Sequence, residues 1–146
     1  MVMTSRCLRI PAELDRLADL RQFIRAAAAD AEAPVECLDD LVQAVDEAAT
    51  NAITHGYRGQ PGWLEIGAAV DGDRFVVTVE DEAPTFDPTT VPEPDLDLDA
   101  QVRKPGGLGV HLIRKSTDGF THRPRPGGGN ILTMVRSLAP GRKEDR

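Results

Sequence analysis

Apolar and polar residues alternate through Ser5-Arg6-Cys7-Leu8-Arg9-Ile10, which predicts a short, half-buried strand. Pro11 ends that strand and suits the opening of a helix. Leu14, Leu17, Leu20, Ile24 and Ala27 then recur at helical spacing, predicting an amphipathic helix to about Ala31. Beyond Pro34, the stripe Leu38, Leu41, Val42, Val45, Ala49 and Ala52 predicts a second helix to about His55, with Gly56 as its stop. Two strands follow, residues 62–70 and 73–81, around the hairpin signal Asp71-Gly72. Residues 84–104 are rich in Pro and Asp and carry no period, as lids, binding loops and disordered segments do. A helix opens at Gly109 and runs through Val110, Leu112, Ile113 and Lys115. A last hairpin is expected, Gly119 to Arg125 and Asn130 to Ser137, and then a polar, disordered tail over residues 140–146. Grouped helices and hairpin-linked strands give an α+β class. The expected architecture is a two-layer α/β sandwich, its mixed and mostly antiparallel sheet covered on one face by helices.

The length of 146 residues fits a single domain over residues 1–146. Only 4% of residues are aromatic against 40% hydrophobic, so the core must be built from Leu, Val, Ile and Ala. A net charge of −7 argues against nucleic acid as the main partner, because phosphate contacts need clustered Lys and Arg. No apolar run approaches a membrane span, and no apolar leader precedes a small-residue cleavage site. Cys7 and Cys37 lack metal-ligand spacing and read as buried, reduced thiols of a cytoplasmic protein.

Three segments carry candidate chemistry. Glu47 and Asn51 stand four residues apart on the second helix, hence on one face, with His55 a turn further on. Glu is a base or a water-orienting group, and an Asn carbonyl is a hard ligand suited to Mg²⁺. Such a pair is also what a solvated helix face looks like, and His55 equally suits a cation at a helix C-terminus. Asp81, at the end of a strand, can accept a hydrogen bond from an exocyclic amine, which separates adenine from guanine; it can also be a plain turn former. Gly106-Gly107-Leu108-Gly109 opens a helix, where backbone N–H groups and the helix dipole favour phosphate. Arg103, Lys104 and Arg114 lie near that loop, either neutralising phosphate charge or simply solvated. Between them and Asp81 the loop is acidic, with Glu93, Asp95, Asp97 and Asp99.

Taken together, these segments resemble a known family. Glu47-Ala48-Ala49-Thr50-Asn51-Ala52-Ile53-Thr54-His55-Gly56-Tyr57 looks like the N box of the GHKL (Bergerat-fold) ATPases and kinases. Asp81 with Phe86-Asp87-Pro88 looks like the G1 box, and Gly107-Leu108-Gly109 like the G2 box. The ending Gly-Gly-Gly-Asn-Ile-Leu-Thr is similar to that of the anti-sigma regulatory factor branch, bacterial serine-protein kinases that switch sigma factors. The resemblance covers residues 5–137. It implies an ATP pocket between helices and a mobile lid, residues 84–105. It implies Asn51 as the Mg²⁺ ligand, Glu47 as general base, Asp81 on the adenine amine, Gly107 and Gly109 on the phosphates, and Thr133 behind the adenine. Ala83, Phe86, Lys104, Gly106, Leu108 and Val110 complete the implied nucleotide contacts. The implied partners are a sigma factor, an anti-anti-sigma protein of the STAS type and a second copy of the chain. The family pattern has glycine where this chain has Ala83, which implies either another turn geometry or weaker ATP binding. A non-catalytic partner-switching module is the alternative reading.

Overall fold

In the computed structural model, which describes residues 4–92 and 107–139, each stretch of alternating polarity forms a strand. The strands are β1 (Thr4–Pro11), β2 (Trp63–Asp71), β3 (Arg74–Asp81), β4 (Gly119–Pro124) and β5 (Asn130–Ser137). They form one sheet in the order β1-β2-β3-β5-β4. The mostly antiparallel sheet expected from the hairpins is antiparallel at each of these pairings. The β2–β3 turn lies one residue later than the sequence suggested, because Asp71 already pairs with Arg74.

Three helices stand among the described residues: α1 (Leu17–Asp30), α2 (Val35–Asn51) and α3 (Gly107–Ser116). All lie toward one face of the sheet, with α1 against β1 and β2, α2 against β3 and β5, and α3 on α2 and β4. The core is aliphatic, as the composition required. Leu20, Ile24, Leu41 and Val45 from the helices meet Leu64, Ile66, Val77, Val79 and Met134 from the sheet, around the single fully buried ring of Phe75. Burial of each such side chain stabilises the fold by about 1.5–3 kcal/mol. Among the described residues no helix is long and apolar enough to cross a membrane.

Two helix ends differ from the sequence pattern. Leu14 falls in a short 3-10 turn, Leu14–Arg16, and is exposed, so the buried stripe of α1 begins at Leu17. At the far end of α2 the chain does not stop at Gly56. It winds on as a single π turn, Ala52–Tyr57, and leaves through Arg58 in the left-handed conformation, φ 53°. The wider turn carries the Tyr57 ring inward, where its hydroxyl donates to the Trp63 carbonyl and accepts from the Glu82 N–H, both at 2.8 Å. Tyr57 thereby ties the helix end to the start of β2 and the end of β3. Its ring fits because residue 62 is glycine; a Cβ there would lie 2.2 Å from the ring.

The opposite face of the sheet is not covered by these helices. Cys7 stands there, exposed on β1, against the expectation of burial; Cys37 is the buried one, and both thiols are free. The Trp63 indole lies between the guanidinium groups of Arg9 and Arg125, 4.0 and 5.1 Å from its centre. Its N–H donates to Glu82 Oε1 at 2.6 Å.

Candidate functional site

Glu47 and Asn51 leave α2 on one face, as their spacing requires, and α3 closes against them. A Cβ built on Gly109 would lie 3.0 Å from Glu47 Oε2 and 3.2–3.3 Å from both side-chain atoms of the Asn51 amide. The first turn of α3 thus comes against these two polar groups only because residue 109 has no side chain. Both side chains are half-buried. Burial raises the Glu47 carboxyl above its ordinary value, and the neighbouring Asp46 carboxylate adds to the rise. Asp46 itself is held by Arg21 of α1 at 2.6 Å. The carboxylate, the carboxamide and the N–H-rich helix start form a cradle with the chemistry to hold a phosphate-bound cation. No group of three or more His, Cys, Asp or Glu among the described residues could hold a metal unaided, so a cation here would draw its remaining ligands from phosphate and water.

His55 does not join this face. The π winding beyond Asn51 breaks the four-residue register, and His55 is exposed, its carbonyl accepting from Arg58.

The same π turn leads to the second half of the site. A Cβ on Gly56 would meet the Ala83 methyl at 2.9 Å. Ala83 is buried, and it is not among the residues of positive φ, so the turn after β3 has a geometry that alanine adopts without strain. This answers one of the two consequences expected of the missing glycine. An open cleft of about 550 Å³ begins here, lined by Gly56, Tyr57, Gly62, Glu82, Ala83 and Pro84 among others. Another cavity, about 230 Å³ beside Arg6 and Asp30, contains none of the candidate residues.

Asp81 is 5% exposed. Its Oδ1 accepts from the Ala83 N–H at 3.0 Å and from Asn130 Nδ2 at 2.9 Å. Desolvation dominates and raises the carboxyl; the bonds from Asn130 and Ala83 pull it part of the way back. The β4–β5 turn packs directly on this strand end. Gly129, at φ 120°, lies so close that a Cβ would stand 2.0 Å from the Asp81 carbonyl.

Thr133 is not part of this arrangement. Successive residues of β5 alternate between faces, and Asn130 is the one paired with Asp81, whereas Thr133 pairs with Thr78 and Thr121 on the side away from the helices. The residue beside the carboxylate is therefore Asn130, and the sequence reading missed it.

Of the other expected residues, Lys104 and Gly106 lie outside the described residues, as do Arg103 and the acidic run from Glu93. Gly107 and Leu108 begin α3, and Val110 in the same turn is buried. The Phe86 ring is exposed, but its N–H donates to Asn130 Oδ1 at 2.8 Å. Arg114 is not a merely solvated surface group. Its guanidinium donates to the carbonyls of Thr89 and Val91 at 3.2 and 2.5 Å, fastening α3 to the start of the long loop.

Comparison with known proteins points the same way. Residues 10–136 match the histidine kinase-like ATPase domain. The chain is 27% identical to an anti-sigma F factor of Thermoanaerobacter sp. (strain X514), over 81% of this chain and 82% of that one. It is 30% identical to the serine-protein kinase RsbW of Listeria monocytogenes serovar 1/2a, covering 76% and 74%. Against the RsbW of Staphylococcus aureus it is 28% identical, covering 82% and 79%.

Proposed function

The chain belongs to the histidine kinase-like ATPase domain family, and from that premise we propose that it is an ATP-binding anti-sigma factor that phosphorylates a serine or threonine on an anti-anti-sigma partner. The observation that carries this reading is the close approach of Gly109, in the first turn of α3, to the Glu47 carboxylate and the Asn51 amide. Asp81 offers its carboxylate to the adenine amine, with Ala83 and Phe86 bordering the base. Gly107 and Gly109, with Leu108 and Val110 of the same turn, would offer backbone N–H groups to the phosphates, a role the resemblance extends to Gly106, with Lys104 to offset their charge. Asn51 would hold Mg²⁺, which would neutralise phosphate charge. Glu47 takes the proton of the attacking hydroxyl as its oxygen bonds to the γ-phosphorus and the bond to the β-phosphate oxygen breaks, releasing ADP. A carboxyl with a raised pKa is a better acceptor for that proton than an ordinary one.

In this reading residues 1–146 are one domain with a lid over residues 84–105. The protein acts in the cytoplasm, as a monomer or a pair of copies, and sigma factor and STAS-type protein compete for it. The names of its relatives support these partners: anti-sigma F factor and serine-protein kinase. The non-catalytic alternative drew its force from Ala83, and the unstrained, buried position of that residue weakens it.

Calorimetry with ATP, with and without Mg²⁺, tests the reading together with phosphotransfer to the cognate partner. Wild type should bind ATP in a Mg²⁺-dependent way. Glu47→Ala should keep that binding and lose about 10²–10⁴-fold in transfer rate. Transfer should also fade on the acid side, with a midpoint above the ordinary 4.5 of a glutamate. Equal loss of binding and transfer in Glu47→Ala refutes the base role, and no ATP binding by wild type refutes the whole reading.

A further inference from the structure

We propose that His122 is a positioning residue: through the Asn130 carboxamide it couples the base-recognising carboxylate, Asp81, to the root of the lid at Phe86. The inference rests on the reading of Asp81 given above. Asn130 is at the centre. Its Nδ2 donates to Asp81 Oδ1 at 2.9 Å and lies 3.2 and 3.4 Å from the carbonyls of Pro84 and Ala83. Three acceptors around the nitrogen fix which end of the amide is which. Its Oδ1 is therefore an acceptor, and it takes the Phe86 N–H at 2.8 Å and His122 Nε2 at 2.7 Å. Nε2 must be the protonated nitrogen, since it faces an oxygen that cannot donate.

The ring is well placed for this task. His122 is on β4, opposite Leu132 and one strand removed from Asp81, and its side chain is only 4% exposed. Its other nitrogen lies 3.9 Å from Asp87 Oδ1, beyond hydrogen-bond reach, and that oxygen accepts from the Thr89 N–H and hydroxyl. One imidazole thus bonds the amide that holds Asp81 and lies beside the carboxylate that caps the short turn Pro88–Thr90. The bonds from Ala83 and Asn130 to Asp81 Oδ1 fix which way the carboxylate faces a base. Loosening Asn130 frees the carboxylate to turn and blurs that choice. It also releases the Phe86 N–H.

The test compares wild type, His122→Phe, which keeps a ring but has no donor, and His122→Gln, which restores one. Affinities for ATP and ITP are measured on each; ITP has a carbonyl in place of the exocyclic amine. The exchange rate of the Phe86 amide is measured without nucleotide. Loss of one such bond is expected to cut the preference for ATP over ITP about tenfold. His122→Phe should also exchange Phe86 faster, and His122→Gln should recover most of both. An unchanged ATP-to-ITP ratio, or unchanged Phe86 exchange, in His122→Phe overturns the proposal. Should that variant not fold, His122→Leu takes its place. Absence of nucleotide binding in wild type would defeat the kinase reading, and the coupling would still be decided by the exchange of Phe86.

Discussion

Asp81 is a carboxylate kept mostly out of water for the sake of one oxygen. Its folded-state pKa is raised by desolvation, with the bonds from Asn130 and Ala83 opposing the rise. In the window above the ordinary carboxylate range, the folded chain then holds more protons than the unfolded one, so ionising Asp81 costs stability as pH rises. Asp81→Asn keeps an acceptor at the position of Oδ1 and never ionises. Its melting temperature should gain on wild type as pH is raised from about 4 towards neutrality, Glu47 titrating in both proteins and cancelling. A gap that is flat or shrinks with pH would show that hydrogen bonding, not burial, governs this group. The neighbouring positions show what one sequence can and cannot reveal at this scale. Asp81 was recognisable from its place at a strand end. The choice of Asn130 over Thr133 was not, because it depends on which face of β5 meets the helices, and a one-residue shift in strand register would reverse it. Ala83 looked like a defect in the motif, yet Gly56, across the turn, supplies the space its methyl takes.

Among the elements, the α2–α3 pair does the chemical positioning. The apolar stripe made α2 legible through Asn51, and the glycines made α3 legible, because both follow local patterns. The π turn after Asn51 was not legible. It is forced by Tyr57, whose hydroxyl reaches the Trp63 carbonyl and the Glu82 N–H, partners that only the folded sheet brings together. The packing of α3 on α2 makes Gly109 the sensitive point. Gly109→Ala should leave the fold intact, since Glu47 and Asn51 can yield by a few tenths of an ångström. Their displacement should weaken Mg²⁺-ATP binding about tenfold or more, because misplacement of this size is costly at a reacting centre. Unchanged affinity, measured by calorimetry beside an unchanged unfolding curve, would remove Gly109 from the site. Arg114 gives the same pair of helices a hold on the long loop, through Thr89 and Val91, that no periodicity could announce.

At the scale of the molecule, helices and sheet are divided so that one face carries the core and the candidate site, while the other is free of helices among the described residues. Hydropathy patterning conveyed that division well: the strands, the helices and their common face all follow from periods of two and 3.6. What it could not convey were the links across the sheet, from His122 through Asn130 to Asp81, which join residues far apart in sequence. One such link offers a practical return. The chain has a single tryptophan, Trp63. Its indole N–H is bonded to Glu82, the residue immediately after Asp81, and its ring is flanked by Arg9 and Arg125. Ligand that engages Asp81 and shifts Glu82 should change the emission of that indole, so the molecule has a built-in optical gauge of its own pocket. Titration of wild type with ATP should move the fluorescence, and Glu82→Gln, which keeps the fold but weakens the bond, should mute the response. A signal that ignores saturating nucleotide would mean that the turn stays rigid when the pocket fills.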